Sequence, residues 1–288
     1  MTAGAEQTVA RRSLLQRLLS TGTLSYRLGL LALAMIVLAA IFAPFITPYD
    51  PIALDMTSTL HPPSFVHPFG TDHLGRDVFA RVLYGARIDL QIGAIGVAVP
   101  LLIGTVVGLI AGYFGGWTDA VIGRVVDVVI AFPFLVLVIA IVAMLGPGLL
   151  NLYIALTLVS WVLYARIVRG ETMALKRREY VLAARNLGFS HSRIMFRHIL
   201  PNTIAPAFVF GMSDFALDVQ VGATLSFFGL GVQPPTPEWG LMIAESRTFL
   251  LTAPWAIIAP GAAIVVVSLV VSLIGDGLAD LARGIDGR

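Results

Sequence analysis

Six stretches of the chain stay apolar over a spanning length: Leu28–Ile46, Leu90–Ala111, Val125–Leu145, Leu149–Tyr164, Ile204–Leu230 and Ala256–Ile274. Hydrocarbon offers a backbone no hydrogen-bond partners, so each stretch must close its own bonds and form a helix. Pro100, Pro133 and Pro260 fall inside these runs and predict bends where neighbouring helices cover the freed carbonyls. Between the fourth and fifth runs the pattern changes, because Arg177–Asn202, RREYVLAARNLGFSHSRIMFRHILPN, is polar and helix-forming. Arg177–Leu187 predicts one helix, with Gly188 placed to end it in the left-handed conformation. Ser190 is placed to cap a second helix, Ser190–Leu200, which Pro201 is expected to stop. On that helix Ile194, Met195, Ile199 and Leu200 form a side suited to docking on a partner, while Arg193 and Arg197 stay solvated.

The segment Thr47–Asp89 is rich in proline, aspartate and histidine. Gly70 with Thr71 and Asp72 predicts a turn. Arg76–Tyr84 then reads as an amphipathic helix lying flat on the outer face, with Val78, Phe79, Val82 and Leu83 on one side and an Asp77–Arg81 pair on the other. Such a helix is either a docking or gating element, or a lid that seals the bundle. Further on, Gly229 and Gly231 end the fifth run, Pro234, Pro235 and Pro237 stiffen the following turn, and Trp239 suits the membrane interface. Met242–Leu251 predicts a short re-entrant or interfacial helix. At the start, Arg12–Leu19 reads as an amphipathic surface helix. The Arg11-Arg12 pair is not expected to be an export signal, because Leu28–Ile46 is long enough to span and no small-residue cleavage site stands out.

Composition sharpens this into a class. The chain has 288 residues, 57% hydrophobic and 12% charged, with mean hydropathy +0.88; soluble domains carry about a quarter charged residues. It is an integral membrane protein with one membrane core, since no stretch between the apolar runs is long enough for a soluble domain. The absence of cysteine excludes disulfides, thiolate metal sites and thiol catalysis. A net charge of +2 gives nucleic-acid binding no support. Taking the N-terminus as cytoplasmic, that side collects Arg11, Arg12, Arg17, Arg27, Arg124, Arg166, Arg169, Lys176, Arg177, Arg178, Arg185, Arg193, Arg197, Arg283 and Arg288, against Arg76, Arg81, Arg87 and Arg247 on the other. The positive-inside rule therefore places both termini and the polar loop in the cytoplasm.

Candidate chemistry is sparse. Asp127 lies near the cytoplasmic end of the third run, and the fifth carries Asp214, Asp218 and Gln220. Asp214 and Asp218 share one helix face, turned toward a pore or a partner subunit, and ionisable groups in spans default to a functional reading. Helix packing or pore lining is favoured over a proton relay. His61, His67 and His73 with Asp72 have no compact ligand spacing, so no metal is expected. The only lysine, Lys176, follows Met173-Ala174-Leu175 rather than phosphate-binding glycines, and neither HExxH nor GxSxG occurs. The chain is expected to be non-catalytic.

Three stretches carry a resemblance. Ala183-Ala184, Gly188 and Leu200-Pro201 are spaced as in the EAA loop of the membrane subunits of binding-protein-dependent ABC importers, although Leu182 stands where the loop usually has Glu and His198 where it has an apolar residue. Glu179, one turn upstream on the same face, is a substitute. His67–Arg87, HPFGTDHLGRDVFARVLYGAR, and Ala223–Arg247, ATLSFFGLGVQPPTPEWGLMIAESR, resemble the peptide and nickel branch of that family. In the first of these Gly70, Thr71, Asp72, Gly75, Arg76 and Asp77 form the extracytoplasmic motif.

The resemblance implies an all-α polytopic permease of six transmembrane helices with a cytoplasmic coupling helix between spans 4 and 5. It divides the chain into a cytoplasmic segment (1–27), span 1 (28–46), an extracytoplasmic loop (47–89), a core (90–276) with the coupling loop at 166–203, and a tail (277–288). Glu179, Ala183, Ala184, Gly188, Ser190, Arg193, Ile194, Arg197, Leu200 and Pro201 would couple to an ATPase, with Gly188 and Pro201 as hinges and Ala183 and Ala184 allowing close packing. The implied partners are a second homologous permease, two ABC ATPases holding ATP and Mg, and an extracytoplasmic substrate-binding protein, in a bacterial cytoplasmic membrane; no cofactor is expected in this chain. Small peptides are the expected cargo, with nickel and glutathione open. The rival is an ion-coupled secondary transporter using Asp214 and Asp218.

Overall fold

The computed structural model describes residues 24–282, so the expectations for Arg12–Leu19 and the last residues lie outside it. Among the described residues there is no strand, only an isolated bridge between Thr71 and Asp77. The helices are α1 (Leu24–Ile41), α2 (Val78–Phe114), α3 (Gly116–Ile130), α4 (Phe134–Leu145), α5 (Leu149–Leu175), α6 (Glu179–Asn186), α7 (Leu200–Phe227), α8 (Trp239–Ser246) and α9 (Trp255–Ala282). Single helical turns lie at Ala43–Ile46, His191–Arg193 and Arg247–Phe249, and the second of these with a π-helical stretch (Ile194–Ile199) leads into α7. Five helical stretches are long and apolar enough to cross a membrane, and α3 with α4, bent by 88°, passes the same test as a pair, which gives five to six candidate spans.

Several expected boundaries move for identifiable reasons. The helix expected at Arg76–Tyr84 does not lie on the outer face but forms the first turns of the 37-residue α2, because nothing between Tyr84 and Leu90 breaks the helical period. Both of its sides are covered: Val78, Ala80 and Arg81 are buried. The Asp77–Arg81 pair is not made. Asp77 instead caps α2, accepting from the Ala80 N–H at 2.6 Å, and Arg81 turns to Glu245 at 3.0 Å. Pro100 sits inside α2 and Pro260 inside α9 without ending them, whereas Pro133 breaks the third run outright into α3 and α4. α5 continues about three turns beyond Tyr164. α9 extends through Ala282, into what reads from sequence as a tail.

The most extensive helix contact is α2 against α5. Gly104, Gly108 and Gly112 recur every fourth residue on the touching face, and a Cβ at Gly108 would lie 3.0 Å from Ala165 Cα. Small residues let membrane helices approach in this way. One apolar core joins Ile92, Val138, Val142, Leu152, Leu156, Val221 and Leu225, and α1 is fixed to α9 through Tyr26, Val270 and Ile274. Leu31, Met35, Leu102, Val106, Leu269 and Leu273 point outward, as lipid-facing side chains do.

Trp239 is a second correction. It is buried rather than interfacial, its indole N–H donating to the Val82 carbonyl at 3.0 Å. The short helix expected at Met242–Leu251 runs instead over Trp239–Ser246, starting at Trp239 because Glu238 caps it, accepting from the Gly240 and Leu241 N–H groups at 2.8 and 2.7 Å. Burial pushes the Glu238 carboxyl above the usual carboxylate range.

Candidate coupling site

The loop between α5 and α7 is assembled from two helical pieces joined at one glycine. α6 opens on Glu179, whose charge suits a helix N-terminus, and carries Arg185 in its last turn. Gly188 has φ +77°, and the Gly188 and Phe189 N–H groups return to the Arg185 and Ala184 carbonyls at 3.0 and 3.2 Å, closing α6 as expected. A Cβ at Gly188 would meet nothing within 4 Å, so the residue is needed for its backbone angle and not for space. Ser190 caps the next turn, its Oγ accepting from the Arg193 N–H at 3.4 Å. The Arg193 guanidinium lies 4.1 Å from the centre of the Phe189 ring.

Pro201 does not stop this second helix. The Leu200 N–H reaches back five residues to Met195, forming the π stretch, and Pro201 enters the first turn of α7, where a missing N–H is not needed. The loop therefore runs without a break into the fifth span.

The docking side expected from sequence is also corrected. Ile194, Met195 and Ile199 are buried inside the chain with Leu109, Tyr164, Val168, Val181 and Ala184. They weld the loop to α2 and α5 and are not available to a partner; Leu200 is half-buried. Of the two alanines, Ala184 packs inward and Ala183 is exposed. The side chains left bare are Tyr180, Leu182, Leu187 and Phe196, with Arg177, Arg178, Arg185, Arg193 and Arg197 around them. None of these arginines makes an ion pair among the described residues. A groove of about 270 Å³ runs between α6 and the bundle, lined by Tyr113, Lys176, Arg177, Val181, Leu182, Arg185 and Ile194. Lys176 braces its floor by donating to the Gly112 carbonyl at 2.8 Å. Sequence alone did not separate the buried stripe from the bare one; the signal was that Val181, Ala184, Ile194 and Ile199 together could cover a bundle end.

Asp214 and Asp218 are both buried within the chain, between α2, α5 and α7, and reach no surface of their own. Asp214 accepts from the Tyr164 hydroxyl at 2.7 Å, while neither Asp218 oxygen has a hydrogen-bond partner among the described residues. Asp127 is exposed. The packing reading of the two buried acids fits this placement; an exposed pore-lining position in the single chain does not.

At the opposite end, the motif Gly70, Thr71, Asp72, Gly75, Arg76 and Asp77 forms a buried ionic lock that the sequence did not disclose. Arg76 donates to Asp72 at 2.6 Å and to Glu245 at 2.7 Å. Arg81 is 1% exposed and joins the same Glu245 and Asp72, at 3.0 and 3.7 Å. The network ties the loop before α2 to α8. Gly75, with φ +72°, is required here because a Cβ would strike the Asp55 carbonyl oxygen. No group of three or more His, Asp or Glu among the described residues is arranged to hold a metal ion.

The model of binding-protein-dependent transport system inner membrane components matches residues 104–283, which include the loop between α5 and α7. That of the N-terminal transmembrane domain of oligopeptide transport permease C matches residues 27–63. The chain is 44% identical to the dipeptide transport system permease of Alkalihalophilus pseudofirmus over 88% of its own length and 83% of the relative's. It is 43% identical to the glutathione transport system permease of Pectobacterium atrosepticum, over 88% and 84% of the two chains. To the di/tripeptide transport system permease of Pseudomonas aeruginosa it is 42% identical, over 88% and 85%.

Proposed function

The chain belongs to the family of binding-protein-dependent transport system inner membrane components, and on that premise we propose that it is the permease subunit of an ATP-driven importer of small peptides in a bacterial inner membrane. It lies with its termini and the α5–α7 loop in the cytoplasm. The observation that carries the coupling role is the loop itself: a rigid arm, buried on its inner side, that presents Leu182, Leu187, Phe196 and unpaired arginines outward. Separate ATPase subunits holding ATP and Mg grip that face, a second homologous permease completes the pore, and an extracytoplasmic binding protein delivers cargo.

The mechanism follows from continuity. Closure of the ATPases displaces α6 and the turn after Gly188. Because the π stretch joins α7 without a break, the displacement passes directly into the fifth span and, through Ile194 and Ile199, into α2 and α5. The bundle then shifts between two packings biased by nucleotide. The bending point is Gly188 alone, since Pro201 lies within a continuous helix.

Relatives named for dipeptide and glutathione transport favour short peptides, with glutathione a peptide of the same size class, over nickel. Reconstitution with the neighbouring permease, ATPases and binding protein tests this. ATP-dependent uptake of a labelled dipeptide is expected. Uptake that survives ATP depletion but is abolished by an uncoupler would replace this reading with the ion-coupled one.

A further inference from the structure

Residues Ser64–His67 form a tight turn, closed by the Ser64 N–H to the His67 carbonyl at 2.8 Å and by the His67 N–H to Ser64 Oγ at 3.1 Å. Its two central residues are Phe65 and Val66. Such positions ordinarily hold Gly, Pro, Asn, Asp or Ser, and an apolar pair there gains nothing from the fold: Phe65 is 108% exposed and Val66 63%. A local rule broken without an internal return marks a functional position.

The turn is rigidly held. Below it, Leu60 and Thr71 exchange backbone bonds with Asp72 and His61, both at 3.0 Å, and the ionic lock of Asp72, Arg76, Arg81 and Glu245 fixes the base. The His67 imidazole contacts the Asp77 carboxylate at 2.9 Å, and Asp77 is the cap of α2. Whatever seats on Phe65 thus pulls on the end of a transmembrane helix two bonds away.

We infer that Phe65 and Val66 are an apolar peg that docks into an apolar recess on the extracytoplasmic substrate-binding protein. This rests on the importer reading and on the orientation given with it. The family is defined by dependence on such a partner, so the outer face must carry a surface for it. A lipid surface is disfavoured by charge: from Thr47 to Gly75 there is no Lys or Arg, while Asp50 and Asp55 are exposed, and an acidic loop is not drawn to anionic headgroups. Rigid aromatic anchors of this kind carry most of the binding energy at protein interfaces.

The test uses the complete transporter in nanodiscs and the binding protein encoded beside it. Phe65→Ser with Val66→Ser is expected to weaken capture of the binding protein on the order of ten-fold or more. Assembly and ATPase activity without binding protein should be unchanged. An affinity equal to wild type overturns the peg and leaves the importer reading intact. Wild type that captures no binding protein overturns both. A Phe65→Trp variant separates the remaining case: emission that shifts to the blue only on adding binding protein supports the peg, and emission already blue-shifted in nanodiscs alone assigns the residue to lipid and overturns it.

Discussion

At one end of the bundle Arg177, Arg178, Arg185, Arg193 and Arg197 project from the α5–α7 loop with no ion pair among the described residues, while the apolar side chains beneath them, Ile194, Met195 and Ile199, are buried. At the other end the arginines have the opposite role. Arg76 and Arg81 are buried and paired with Asp72 and Glu245, and the apolar residues Phe65 and Val66 stand bare. Unpaired, solvated cations cost little to keep and are free for a partner, whereas buried ones must be matched or the fold is lost. The same residue type is therefore left solvated and unpaired at one end and serves as an internal fastening at the other, and substitutions should separate the two.

The largest effect is expected at the fastening. Arg81→Ala leaves two carboxylates sharing Arg76 and should cost about 3–5 kcal/mol. Thermal melting of the purified chain checks this, and an unchanged midpoint would mean that the lock contributes nothing. A smaller loss is expected in the α5–α7 loop from Gly188→Val, roughly 1–2 kcal/mol from the left-handed backbone alone. Because that site has open space, Gly188→Asn should restore most of it. Transport is expected to fail in the valine variant while the ATPases remain bound; normal uptake would remove Gly188 from the mechanism. Ser190→Ala is milder still, about 0.5 kcal/mol given its long 3.4 Å cap bond, and should appear as faster exchange of the Arg193 amide.

The hydrophobic pattern disclosed the all-helical bundle, the near-count of spans and the two-piece loop around Gly188, because lipid leaves apolar runs only one backbone solution. It placed the ends poorly. Where α2 begins, and that α5 and α9 overrun their apolar cores, depends on caps and packing rather than hydropathy, as at Asp77 and Glu238. Pro201 misled because its effect depends on which turn of a helix it occupies, and the π stretch that admits it has no sequence signature. Periodicity puts Ile194, Met195 and Ile199 on one face but does not fix what that face meets, and here the bundle covers it. Glu245 escaped notice because its partners, Arg76 and Arg81, are more than 160 positions away.

The most direct measurement is co-purification of the ATPases with wild type and with a variant carrying Arg193→Glu and Arg197→Glu. Both positions are exposed, and the variant forfeits only the Arg193 contact with the Phe189 ring, so the stability change should stay within about 1 kcal/mol. Loss of the ATPases at unchanged stability is the predicted result. ATPases retained in full by a folded variant would contradict the claim that this face of the loop is where the chain is driven.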